Sequence, residues 1–208
     1  MSDNSNKCSL IRDVAIFDYD QKLITESKEK NNGKIIMSGI LQRSDVVNQN
    51  GRVYPKNILE REIRNYQKLI VENRAMGELD HPASSVVELK NVSHVIRDAK
   101  IDEEGTVHGQ VEILNTPSGQ VLQSLIESGI KLGISSRGVG TTKKSGDYDL
   151  VQSDFQLICW DFVSEPSTPG AFMLSESKQI DKCELNKIFT KSDKIDRIVN
   201  ELLDSIDS

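Results

Sequence analysis

Histidine and cysteine are the scarcest chemistry-bearing residues here, three of each in 208. Cys8, Cys159 and Cys183 are odd in number and far apart, which argues against a disulfide framework or a paired-thiolate metal site and suits a reducing compartment. His81, His94 and His108 never stand at a tight ligand spacing, so a histidine-based zinc site has no footing and no cofactor is expected. No apolar run approaches the roughly 18 residues that span a bilayer, and residues 1–6 are polar, unlike a signal peptide. Basic excess is absent as well. The net charge of −6 excludes bulk attraction to nucleic acid or to an anionic membrane. No internal repeat is present, and the length suits one sizeable domain with appendages.

What is there reads as an α+β chain. Residues 1–32 join a short apolar piece, SLIRDVAIF, to a charged, Asn-rich stretch, and are read as an N-terminal arm and mobile loop. GKIIMSGILQ reads as a strand interrupted at Gly39, and NQNGRVYP as a turn leading through Pro55 into a helix over residues 55–74. Two alternating strands follow the irregular link GELDHPASS. Thr116 then caps a second helix whose stripe is Val121, Leu122, Leu125 and Ile126 and which Gly129 ends. The strand KLGISSRGVG, a hairpin around KKSGD and one long strand, DYDLVQSDFQLICWDFV, complete a main domain over residues 33–176. Residues 177–208 are read as an amphipathic helical tail. The expected architecture is a mostly antiparallel sheet or barrel flanked by helices.

Two adjacent serines on an apolar strand raise the question of a nucleophile, which needs a base within reach and a third group to orient it. Strand alternation separates the serines: Leu132, Ile134 and Ser136 share one face, Gly133 and Ser135 the other. Ser136 ends the apolar face, with Gly138 leaving room for a substrate backbone, and is preferred, with Ser135 the fallback. His81, in a loop before a proline, is the candidate base, whereas His94 and His108 read as structural strand residues. Asp161, at the end of an apolar strand, is the candidate orienting group; Glu165 is weaker, and Asp80 adjoins His81 in a direction that extended backbone turns away. Arg137 points to the other side, where an ion pair is expected.

The motifs NQNGRVYP, GELDHP, LGISSRGVG and WDFVSEPSTPGAF, in this order over residues 48–172, resemble the prohead maturation proteases of T-even-type tailed phages, relatives of the herpesvirus assemblin proteases. The resemblance implies a serine endopeptidase on an antiparallel β-barrel, with His81 as general base and Ser136 as nucleophile. Asp161 stands where the herpesvirus enzymes use a second histidine. It also implies an oxyanion hole in the SEPSTPGA loop, with Gly170 the donor. Cleavage after glutamate in a Leu/Ile-x-Glu context follows from the same resemblance, with scaffold, core and major capsid proteins as substrates inside the prohead in the host cytoplasm. Arg137, Lys143 and Lys144 are sequence-near candidates for holding that glutamate. Head enzymes of this kind assemble into rings or dimers, so a homo-oligomer is expected, with neither nucleic acid nor membrane as partner. Sites of the same type occur in the chain at Glu26 and Glu176, with an imperfect one at Glu201 where Val199 replaces Leu or Ile, so a zymogen that trims its own tail at Glu201 or Glu176, ahead of Glu26, is expected. Two rival classes stand beside this one: a non-catalytic capsid-core scaffold protein and a cytoplasmic serine esterase.

Overall fold

The computed structural model describes residues 9–17, 27–31, 33–80, 82, 84–130 and 132–164. Among the described residues the principal elements follow in the order β1 (Ser9–Phe17), β2 (Ile36–Arg43), β3 (Arg52–Val53), α1 (Lys56–Val71), β4 (Met76–Glu78), β5 (Val92–Ile101), β6 (Thr106–Ile113), α2 (Pro117–Glu127), β7 (Leu132–Gly140), β8 (Thr142–Ser145), β9 (Tyr148–Val151) and β10 (Gln156–Val163). A 3₁₀ turn, Leu89–Asn91, precedes β5. The strands form three sheets, ordered β1-β7-β10, β2-β6-β5-β4 and β3-β9-β8. All pairings are antiparallel except β3 with β9. The architecture is therefore α+β with mostly antiparallel sheets. Among the described residues no sheet closes on itself into a barrel; a parallel bridge from Leu79 to Phe162 links the first two sheets.

Local chemistry accounts for the helix ends. Thr116 accepts from the Gly119 amide at 3.0 Å with Pro117 at the first helical position, so α2 begins where the sequence predicts. Helix α1 stops at Val71, short of residue 74, because Asn73 adopts a left-handed φ of 55° and the Arg74 amide turns back to Leu69 O. Leu122 and Ile126 of α2 are buried, but Val121 faces solvent rather than the core. In β2 the register slips at Leu41, not at Gly39. The long final strand is two strands: the turn at Gln152 to Phe155 separates β9 from β10.

The segment read as an arm supplies β1, which pairs with β7 along its whole length. One core of aliphatic and aromatic side chains lies between the sheets and α1, with Trp160, Tyr54, Phe155 and Phe162 among its largest members. Its rings meet edge to face, Tyr66 against Trp160 at 4.8 Å and Tyr54 against Phe155 at 5.2 Å. Strand β10 is not regular. Leu157 pairs with Gly138 and Cys159 with Arg137, leaving Ile158 as an extra residue. The Leu157 amide donates instead to Glu62 of α1 at 2.8 Å, and Arg61 Nη2 donates to Phe155 O at 2.8 Å. Two buried charged side chains of α1 thus satisfy backbone groups beside this bulge.

Candidate active site

Strand β7 is buried on both faces along all its residues. Cross-strand partners in an antiparallel pair share a face, so the register sorts its neighbours. Ser136 stands opposite Asp13 of β1 and Trp160 of β10. Ser135 stands opposite Val14 and Asp161, and Arg137 opposite Arg12 and Cys159. The Ile158 bulge decides this. Without it, Asp161 would face Ile134.

The face that carries Ser135 is ionic. Arg137 is fully buried, with Nε 2.8 Å from Asp161 Oδ2 and Nη2 3.1 Å from Asp161 Oδ1. Its Nη2 also pairs with Glu78, and its Nη1 donates to Ser84 O at 2.7 Å. Burial works against the guanidinium charge, but Cys159, Asp161 and Glu78 outweigh it and hold Arg137 more firmly protonated than an ordinary arginine. Burial raises the Glu78 carboxyl above its usual range, with Arg137 pulling the other way. Asp161 accepts the Glu78 amide at 3.0 Å, and Glu78 accepts the Glu88 amide at 2.6 Å. Strand β4 and the segment after it are thereby drawn onto β7 and β10.

The face that carries Ser136 is mainly apolar, with one polar knot. Asp13, buried, accepts from Asn50 Nδ2 at 2.9 Å, from Arg52 Nη1 at 3.0 Å and from the Tyr54 hydroxyl. The NQNGRVYP motif therefore fastens β1 to the sheet. Burial and then Asp13 push the Tyr54 phenol well above its ordinary pKa, so it stays a donor. Ser136 Oγ is buried and makes no hydrogen bond, although it lies near enough to Tyr54 to oppose that shift. Gly138 and Gly140 do not leave room for a substrate: a Cβ at Gly138 would stand 2.5 Å from the Phe155 ring, and one at Gly140 2.8 Å from the Phe155 backbone. The glycines admit Phe155 into the core.

Among the other sequence candidates, Arg137 is withdrawn as a holder of substrate glutamate, because its nitrogens are buried and engaged. Lys143 and Lys144 lie exposed on β8, the latter 3.6 Å from Asp149. His94 is buried with Nε2 3.0 Å from Trp160 O and Nδ1 2.9 Å from Ser93 Oγ, so Nε2 carries the proton and Nδ1 accepts. Burial lowers its pKa to about 4, with Asp161 and Trp160 O opposing, and the ring is neutral at pH 7. His108 pairs with Asp102 at 2.9 Å on the surface. Asp80 takes a left-handed φ of 69° and donates its amide to Phe162 O at 2.7 Å, placing the chain that enters position 81 beside the end of β10. His81, Glu165, Gly170, Glu26, Glu176 and Glu201 lie outside the described residues. Glu78 and Ser84, partners of Arg137, escaped the sequence reading; the GELDHP motif held Glu78 in plain view, but a buried counter-charge is not readable from one strand. Among the described residues no cluster of His, Cys, Asp and Glu would hold a metal.

A serine hydroxyl and a buried carboxylate facing each other across two strands define a candidate serine-hydrolase centre. The comparisons narrow the class. A model described as "Prohead core protein serine protease" matches residues 10–183, and the chain belongs to that family. It is 30% identical over 164 residues to the prohead core protein protease of Enterobacteria phage T4, covering 76% of each chain. Its fold also resembles the solved capsid assembly protease of bacteriophage T4, with a TM-score of 0.66 and 24% identity over 77% of this chain and all of that one.

Proposed function

We propose that the protein is the serine endopeptidase of a phage prohead, acting within the assembling head in the host on scaffold, core and capsid proteins. The observation that carries the chemistry is the register of β7 with β10. It pairs Asp161 with Ser135, on the face where Arg137 holds Glu78 and the Ser84 carbonyl, the two flanks of position 81. This favours Ser135 over Ser136 as the hydroxyl that attacks the scissile carbonyl. His81 takes the proton and returns it to the leaving amine, while Asp161 orients the imidazole and stabilises its cation. Ser136, facing Trp160 and Tyr54 without a partner, suits a packing role better. Gly170 remains the proposed oxyanion donor. No helix among the described residues is long and apolar enough to cross a membrane.

Cleavage after glutamate, self-processing at Glu201, Glu176 or Glu26, and assembly into a homo-oligomer belong to the same proposal. The proposed barrel is the ring β1-β7-β10-β4-β5-β6-β2. The Leu79–Phe162 bridge and the packing of β1 on β2 support its closure.

Incubation with a protein carrying an Ile-x-Glu site, beside a small ester, tests the function. Cleavage after glutamate is expected, with intact-mass spectrometry showing loss of a C-terminal fragment from the wild type but not from Ser135→Ala. Ester-only turnover, or no turnover of either, overturns the proposal.

A further inference from the structure

We propose that Arg137 is the positioning residue that seats the histidine-bearing segment on the catalytic strand, an inference that rests on the serine-protease reading above. The guanidinium is bound to both flanks of position 81. Ahead of it stands Glu78, whose carboxylate pairs with Nη2; behind it stands Ser84, whose carbonyl accepts from Nη1 at 2.7 Å. The remaining side of the fork faces Asp161, with Nε 2.8 Å from Oδ2. Glu78 closes the loop by accepting the Glu88 amide at 2.6 Å, and its own amide donates to Asp161 at 3.0 Å. One planar cation therefore joins the start of the segment, its far side and the carboxylate across from Ser135. A lysine ammonium has no such fork and cannot reach all three directions in one plane.

The alternative is that Arg137 only neutralises buried carboxylates. With both carboxylates ionised, the cluster carries one positive and two negative charges. Arg137→Met alone leaves two negative charges, whereas Arg137→Met with Glu78→Gln leaves one negative charge, the same net charge as the wild type. The double variant thus removes the tether and preserves the net charge.

The test follows the full-length protein by fluorophosphonate labelling, which is independent of peptide specificity, with folding checked by Trp160 fluorescence. In the double variant the maximal labelling rate should fall on the order of 10²-fold, as expected for a misplaced catalytic group, with the half-saturating probe concentration unchanged. The acid limb of its pH profile should stay where the wild type has it. In Arg137→Met that limb should move to higher pH, because uncompensated carboxylates favour the imidazolium. Arg137→Lys should be slowed like the double variant, with faster hydrogen exchange at the amides of residues 84–88. Wild-type labelling and exchange in Arg137→Lys, or wild-type labelling in a folded double variant, overturns the proposal. If the double variant does not fold, Arg137→Lys decides alone. Ser135→Ala separates the two levels: if it still takes the label, the reading of the site fails whatever Arg137 does.

Discussion

The two faces of β7 hold adjacent serines in opposite surroundings. Around Ser136 the chemistry is that of a core: Trp160, Phe155 and Tyr54 pack there, and the one carboxylate, Asp13, is consumed by three donors. Around Ser135 charge is concentrated, with Arg137, Glu78 and Asp161 all fully buried. A buried charge is tolerated only when paired and hydrogen-bonded, and such clusters concentrate at functional sites. The comparison shows why neighbouring hydroxyls are not interchangeable: strand alternation sends one into packing and the other into an electrostatic field.

Removing each hydroxyl in turn is the sharpest way to break that comparison. Ser135→Ala should lower cleavage on the order of 10⁶-fold, as loss of a serine nucleophile does. Ser136→Ala should leave most of the activity and, since its Oγ has no partner, cost little stability. The reverse pattern in a peptide-cleavage assay would return the role to the apolar face.

A smaller effect is expected from the partner across the strand. Asp161→Asn should slow turnover roughly 10⁴-fold by favouring the wrong imidazole tautomer. Asp80→Asn is the control. Asparagine accepts a left-handed φ as aspartate does, so activity there should hardly change. Equal losses in the two variants would remove Asp161 from the mechanism.

Two further predictions concern stability. Buried His94 has a folded-state pKa of about 4, below the unfolded value near 6.5, so the unfolded chain binds more protons between them. Its contribution is complete above about pH 6.5 and is lost as pH falls towards 4, by about 3 kcal/mol. Denaturant titrations across that window should show this loss in the wild type and a flatter profile in His94→Gln. Tyr54→Phe should cost about 2 kcal/mol by removing a donor from buried Asp13, as read from the unfolding midpoint, while activity per folded molecule stays the same. A large activity loss at full stability would mean that the apolar face takes part in the chemistry.

Much of the molecule was legible in the chain because its signals are local. Helix α2 follows from Thr116, Pro117 and the spacing of Leu122 and Ile126, and four short motifs carried the family. Alternation correctly placed Ser135 and Ser136 on different faces of β7, and Arg137 on the face away from Ser136. What alternation cannot say is which face meets which partner. An apolar face with a glycine looked like a binding surface, yet Phe155 fills it. Residues 9–17 looked like an arm because their partner strand lies far along the chain.

The sequence by itself determined the helices, the strand periodicities and the residue types a serine hydrolase requires. Only the tertiary structure decided which hydroxyl Asp161 opposes. One extra residue, Ile158, shifts β10 by a register step, and that bulge is supported by Glu62, 95 positions earlier on α1, accepting the amide of Leu157. Register is set by hydrogen bonds between distant segments, and a single-residue slip changes every facing pair beyond it.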